Sequence, residues 1–138
     1  MLRLFNYLFY IIIIFFFTNA FALQTNWSNG IESQVRIISP STHINNQNEI
    51  YLGLQYKLKK GWKTYWLSPG EGGFPQNIDW TKSKNIQNIE VLWPTPHEFE
   101  ILGFKSLGYF DEVVFPLKTT IQNIEKETSV DLDVNYLT

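Results

Sequence analysis

The sequence predicts an all-β protein, an antiparallel β-sandwich. Three observations carry this. Two segments alternate apolar and polar residues with period two, turn-formers recur at short intervals between further β-branched and aromatic runs, and no segment sustains helical periodicity. Between Glu49 and Leu58, residues Ile50, Leu52, Leu54, Tyr56 and Leu58 fall on one face, and Tyr51, Gly53, Gln55 and Lys57 on the other. This is the pattern of a half-buried antiparallel strand. Ser129 to Tyr136 repeats it, with Val130, Leu132, Val134 and Tyr136 expected inward and Ser129, Asp131, Asp133 and Asn135 outward.

Shorter strands are expected at Ser33–Ile38, Trp62–Leu67, Ile78–Trp80, Ile89–Trp93, Phe99–Phe104 and Glu112–Thr119. Turns are expected at Ser39-Pro40, Lys59-Lys60-Gly61, Pro69-Gly70, Pro94-Thr95-Pro96 and Gly108, and a polar loop at His43–Asn48. About seven or eight short strands at this spacing suit a sandwich.

Ahead of this domain, Met1–Ala22 has a basic start at Arg3, an apolar run from Leu4 to Phe17 and a small-residue exit at Ala20-Phe21-Ala22. Those are the parts of a secretory signal peptide, with cleavage expected after Ala22, and the apolar run is shorter than a bilayer span. Residues 23–138 then form one exported domain with no further apolar run of membrane length. The chain has 138 residues, 11 basic against 13 acidic, with the signs interspersed, which excludes a nucleic-acid-binding class. It contains no cysteine, so its stability must come from packing rather than from disulfides.

The most distinctive block is GWKTYWLSPGEGGFPQNIDW, Gly61–Trp80, followed by Trp93-Pro94. Trp62, Tyr65, Trp66, Trp80 and Trp93 could stack on sugar rings as an exposed platform, or pack as core and loop base; packing is the stronger expectation. The glycines of Pro69–Pro75 precede no helix, so they read as a tight excursion rather than a phosphate cradle. His43 and His97 are far apart and lack neighbouring ligands, so no metal site and no cofactor is expected. A hydrolase built from Ser68, His97 and Asp111 lacks a nucleophile motif. Lys57, Lys59, Lys60 and Lys63 suit a solvated rim, and the Asn26-Trp27-Ser28 sequon matters only in a eukaryotic secretory pathway.

Five ordered blocks resemble the N-terminal periplasmic domain of the DsbD thiol:disulfide interchange family, in particular its ScsB-like branch. They are GWKTYW (Gly61–Trp66), PGEGGFP (Pro69–Pro75, with Gly70 and Phe74), DW (Asp79-Trp80), LWPTP (Leu92–Pro96) and GYFDEVVFP (Gly108-Tyr109 to Pro116). The resemblance spans about Gln34 to Thr138. It implies an immunoglobulin-like sandwich in a protein-disulfide reductase. Such a domain relays electrons from a membrane-embedded donor domain to periplasmic thiol/disulfide partners, in disulfide repair, cytochrome c maturation or copper tolerance.

In that family the chemistry rests on two cysteines in a segment like YLVCxxxxCxP. The matching strand here is Asp133–Leu137, so the pair is expected just after Thr138, in a longer protein of which this is a fragment. Without a thiolate, residues 1–138 alone cannot carry out thiol–disulfide exchange. A truncated, cysteine-free binding module for carbohydrate or protein is the alternative. Ending there, it would leave an unpaired edge beside Ser129–Tyr136, with poor solubility or dimerisation expected. The resemblance also implies a cap loop over the cysteines, which falls by chain order at His97–Glu100. Phe99 would cover the redox position, with Glu98 or Glu100 near it; otherwise Phe99 is a core residue and both glutamates are solvated.

Overall fold

Alternation of side chains builds every layer of this molecule. The computed structural model describes residues 23–40 and 48–136. The expected signal peptide, His43 and the last two positions therefore lie outside the described residues. Ten strands run in chain order: β1 (Leu23–Gln24), β2 (Ser33–Ser39), β3 (Glu49–Leu58), β4 (Lys63–Gly70), β5 (Asn77–Asp79), β6 (Ile86–Val91), β7 (His97–Ile101), β8 (Phe104–Phe110), β9 (Glu112–Ile121) and β10 (Asp133–Asn135). All named pairings are antiparallel. The fold is the immunoglobulin-like sandwich that the sequence implies.

The larger sheet has the order β1-β2-β3-β9-β6. Its centre is the β3–β9 pair, with Leu52 opposite Leu117, Leu54 opposite Phe115 and Tyr56 opposite Val113, all on the core face. Phe115 is fully buried and takes the edges of three rings, from Tyr56 at 5.1 Å, Tyr109 at 5.0 Å and Trp93 at 5.1 Å between centroids. T-shaped packing of this kind adds to the area term. Pro116 lies within this inner strand, where a proline would ordinarily delete a ladder bond. Its carbonyl accepts from the Leu92 N–H at 2.8 Å, one residue past the end of β6, so the missing donor falls where the ladder is already ending.

Facing it are a three-stranded sheet, β4-β8-β7, and the short ribbon β10-β5. The sequence expectation differs at several points. Phe99–Phe104 is not one strand but a hairpin: Leu102 and Gly103 have φ of 51° and 87°, the two positive values of a two-residue type I′ connection. Gly108 is not a turn but lies inside β8, where a Cβ would come 2.1 Å from the Thr64 carbonyl oxygen. Pro69-Gly70 ends β4 through an irregular register rather than starting a separate turn.

Ser129–Tyr136 keeps its expected inward set, all half-buried against the core. Its regular strand is only Asp133–Asn135, because the register slips one residue between two anchor points. Asp133 lies opposite Asp79, while Ser129 bridges Lys84. The slip is absorbed by Ser83, whose hydroxyl donates to the Asp131 carbonyl and accepts from the Asp131 N–H, both at 2.9 Å.

Candidate functional site

The motif blocks converge because β4 and β8 pair. Lys63 lies opposite Phe110, Thr64 opposite Tyr109 and Tyr65 opposite Gly108, while β7 sets His97 opposite Gly108 and Phe99 opposite Ser106. Directly opposed residues share a face. Lys63, Tyr65, His97, Phe99, Ser106, Gly108 and Phe110 thus occupy the face turned away from the core, and Thr64 and Tyr109 the face turned toward it. Phe99 is the hub of the outer face. Its ring is 5.1 Å from Phe110 and 6.0 Å from Tyr65, and the Lys63 ammonium sits 5.1 Å from its centroid. His97 lies 6.3 Å from Phe110.

The Pro69–Pro75 excursion folds over part of this face, and its glycines are there for close approach. A Cβ on Gly73 would be 2.3 Å from the Tyr65 ring, and one on Gly72 would be 2.7 Å from the Ser106 Oγ. Bare backbone therefore covers Tyr65, which is buried, while Phe74 and Pro75 at the end of the excursion are exposed. The next residue, Gln76, ties the excursion to the core. Its Oε1 accepts from the Tyr56 hydroxyl at 2.6 Å and its Nε2 donates to the Tyr65 carbonyl at 2.5 Å. Burial pushes the Tyr56 hydroxyl well above the ordinary tyrosine range, so it acts as a fixed donor.

The remaining motif residues hold the scaffold. The Tyr109 hydroxyl donates to the Pro94 carbonyl at 2.8 Å, joining the GYF and WP blocks. Trp66, Trp80 and Trp93 pack against the core, and only Trp62 of the expected platform set is exposed. A flat aromatic platform of the kind that stacks on sugars is not formed by these five residues. Asp79 accepts from the Thr81 N–H at 2.8 Å, a turn that holds its carboxyl below the usual range.

His97–Glu100 is not a loop; it is most of β7. Strand alternation sends Glu98 and Glu100 to the face opposite Phe99, where both are exposed and Glu98 pairs with Lys105 at 3.0 Å. No hydrogen bond joins Ser68, His97 and Asp111 among the described residues. Nor, among the described residues, do three or more His, Asp or Glu side chains gather as a metal site would need. What sequence reading missed is the hairpin tip. Leu102 is 94 % exposed at positive φ, and Phe104 beside it is half exposed. The Leu-Gly pair between two alternating runs was the available signal.

The end of β10 lies beside this site. β10 runs antiparallel to β5 with Asn135 opposite Asn77, so it is directed toward Gln76 and the Pro69–Pro75 excursion. Tyr136 follows, its ring edge-on to Tyr56 at 5.0 Å and its hydroxyl 2.8 Å from the Ser33 Oγ.

The family model for the thiol:disulfide interchange protein DsbD, N-terminal, matches residues 34–138. This chain belongs to the DsbD N-terminal domain family. A similar solved structure is the N-terminal periplasmic domain of ScsB from Proteus mirabilis, with 27 % identity and a TM-score of 0.62. The match covers 87 % of this chain and 51 % of the ScsB chain, so the present chain spans about half the length of that domain. No curated protein matches the chain. In this chain the GWKTYW and GYF blocks lie on the paired strands β4 and β8, PGEGGFP is the covering excursion, and the tryptophans of DW and LWPTP pack against the core. No helix among the described residues is long and apolar enough to cross a membrane.

Proposed function

We propose that residues 23–138 form the exported electron-relay domain of a DsbD/ScsB-like protein-disulfide reductase. It works in the periplasm between a membrane-embedded donor domain and thiol/disulfide partner proteins. The observation that carries this is the direction of β10, which aims the chain at the face built from Tyr65, Phe99 and the Pro69–Pro75 excursion. Cysteines entering from β10 would meet an apolar, partly covered surface. Burial there raises a thiol's pKa and keeps it from adventitious oxidants. The signal-peptide features of Met1–Ala22 and the periplasmic origin of the ScsB domain support the location.

Phe99 supplies the covering ring, held by Phe110, Tyr65 and Lys63. Glu98 and Glu100, on the opposite face of β7, serve solubility and the Lys105 pair rather than thiol chemistry. Leu102 and Phe104 at the hairpin tip, with Phe74, form the apolar rim against which a partner would seat. A strained residue left exposed at a turn is more economically explained by function than by stability.

The test uses the whole protein carrying its cysteine pair. After reduction, Phe99→Ala is expected to raise the rate of maleimide labelling several-fold while Glu98→Gln leaves it unchanged. Equal labelling of wild type and Phe99→Ala would remove Phe99 from the cap role.

A further inference from the structure

An antiparallel sheet with one face on the core ordinarily turns polar side chains to water on the other. The larger sheet departs from this along its middle. Register sets Ile38 opposite Gly53 and Gly53 opposite Pro116, and the Leu92 N–H donates to the Pro116 carbonyl. These four residues form one row straight across β2, β3, β9 and the end of β6. Their chain neighbours Ile37, Leu52, Leu54, Phe115 and Leu117 pack into the core, so alternation leaves the row on the outer face. Gly53 is the notch in it. A Cβ there would come 2.8 Å from the Ile38 Cγ1 and 2.9 Å from the Val114 Cγ1, and those two side chains close over the bare α-carbon. With Pro116 and the exposed Tyr51 they line a groove of about 290 Å³, almost wholly apolar. Because β3 lies between β2 and β9, the floor offers no free backbone donor or acceptor. Charged groups flank the row on both sides. Toward one end Glu49 pairs with Lys118 at 2.8 Å; toward the other Lys57 lies opposite Glu112, and Gln55 links Glu112 to Arg36.

We propose that this face pairs with the same face of a second copy of the chain, about a two-fold axis that runs along the Ile38–Gly53–Pro116–Leu92 row. In such an isologous contact, residues on the axis meet themselves and residues off it exchange ends. The apolar row therefore packs on itself. Two steps from the row, Glu49 comes over Lys57 of the second copy, with Lys118 beside Glu112 of the second copy, so acids and bases alternate at each end. Strand by strand no like charges are opposed: Lys118 meets position 114, Glu112 meets position 120, Arg36 meets position 40 and Glu90 meets position 94. A partner of one charge sign, or an anionic lipid surface, would meet a like charge at either flank. Four strands about 4.8 Å apart and nine residues of about 3.4 Å give a footprint of up to about 600 Å² per copy, the low end for specific interfaces, so the dimer is weak. The pairing leaves the sheet that carries Phe99 uncovered and does not depend on electron relay, so its failure would leave that reading untouched.

Photo-crosslinking in the full-length protein tests it. A benzophenone amino acid in place of Tyr51 is expected to join two copies, with the adduct mapped to Gln55 or Val114 of the second copy. Leu92→Asp, which sets two carboxylates against each other on the axis, should cut the yield by about tenfold or more. Lys57→Glu should cut it about fivefold, and adding Glu49→Lys should restore it, a recovery that a folding defect cannot produce. A yield unchanged by Leu92→Asp and Lys57→Glu, or a double variant as low as Lys57→Glu alone, would overturn the proposal. An adduct to a different protein, or none between copies, would overturn it equally.

Discussion

Gly108 shows how one missing methyl positions the site. With the Thr64 carbonyl oxygen 2.1 Å and the Phe99 Cε1 3.1 Å from where its Cβ would be, β4, β8 and the Phe99 ring can close only over a bare α-carbon. Gly108→Ala is expected to cost about 1 to 3 kcal/mol, as overpacking does, read as a lower urea midpoint at constant slope. An unchanged midpoint would mean that β8 does not pass so close to β4. The sequence shows Gly108 plainly, but as a turn-former, because nothing local distinguishes a glycine that bends the chain from one that lets another strand approach. Tyr56 was legible as an inward residue from its place in Glu49–Leu58. Its hydroxyl's partner was not, since Gln76 lies across a loop. Tyr56→Phe strands the buried Gln76 Oε1, and a loss of about 1 to 3 kcal/mol is expected in the same denaturation assay.

Among the elements, the β7–β8 hairpin separates stability from function. Leu102 occupies a left-handed conformation that costs a branched, non-glycine residue roughly 1–2 kcal/mol and that asparagine adopts more readily. Leu102→Asn is expected to hold or raise the thermal midpoint while weakening binding of an oxidised partner to the whole protein. A lower midpoint with unchanged binding would show that Leu102 is structural. The extents of β3 and β9 were readable because each alternates over a long run with one face buried. β7 and β8 were merged because Ile101, Leu102, Gly103 and Phe104 read as apolar continuity, and the positive φ values that reverse the chain leave only a weak Leu-Gly trace in sequence. The Ser129–Tyr136 alternation gave the correct inward set. The break in its pairing depends on Ser83, some forty-eight positions away, which no local pattern reports.

At the scale of the whole molecule, a core centred on Phe115 and ringed by Tyr56, Tyr109 and Trp93 makes the fold sensitive to alkali. Burial pushes the Tyr109 hydroxyl up to about 12 from 10.0, and raises Tyr56 as well. The folded state thus favours the neutral phenols. The Tyr109 contribution is fully present below pH 10.0 and is lost as pH rises toward about 12, and Tyr56 acts in the same direction. Denaturant midpoints should fall steeply across that window, and Tyr109→Phe should flatten the fall; an unchanged slope would mean that Tyr109 titrates freely in the fold.

By itself, the sequence determined the all-β class, the inward and outward sets of the long strands, and the family, because period-two alternation and ordered motif blocks are properties of neighbouring residues. Only the tertiary structure decided that Phe99 belongs to a strand with its glutamates turned away, and that the glycine-rich excursion closes on Tyr65. Each of those depends on which distant backbone passes within hydrogen-bonding or van der Waals reach, and a linear pattern does not encode that distance.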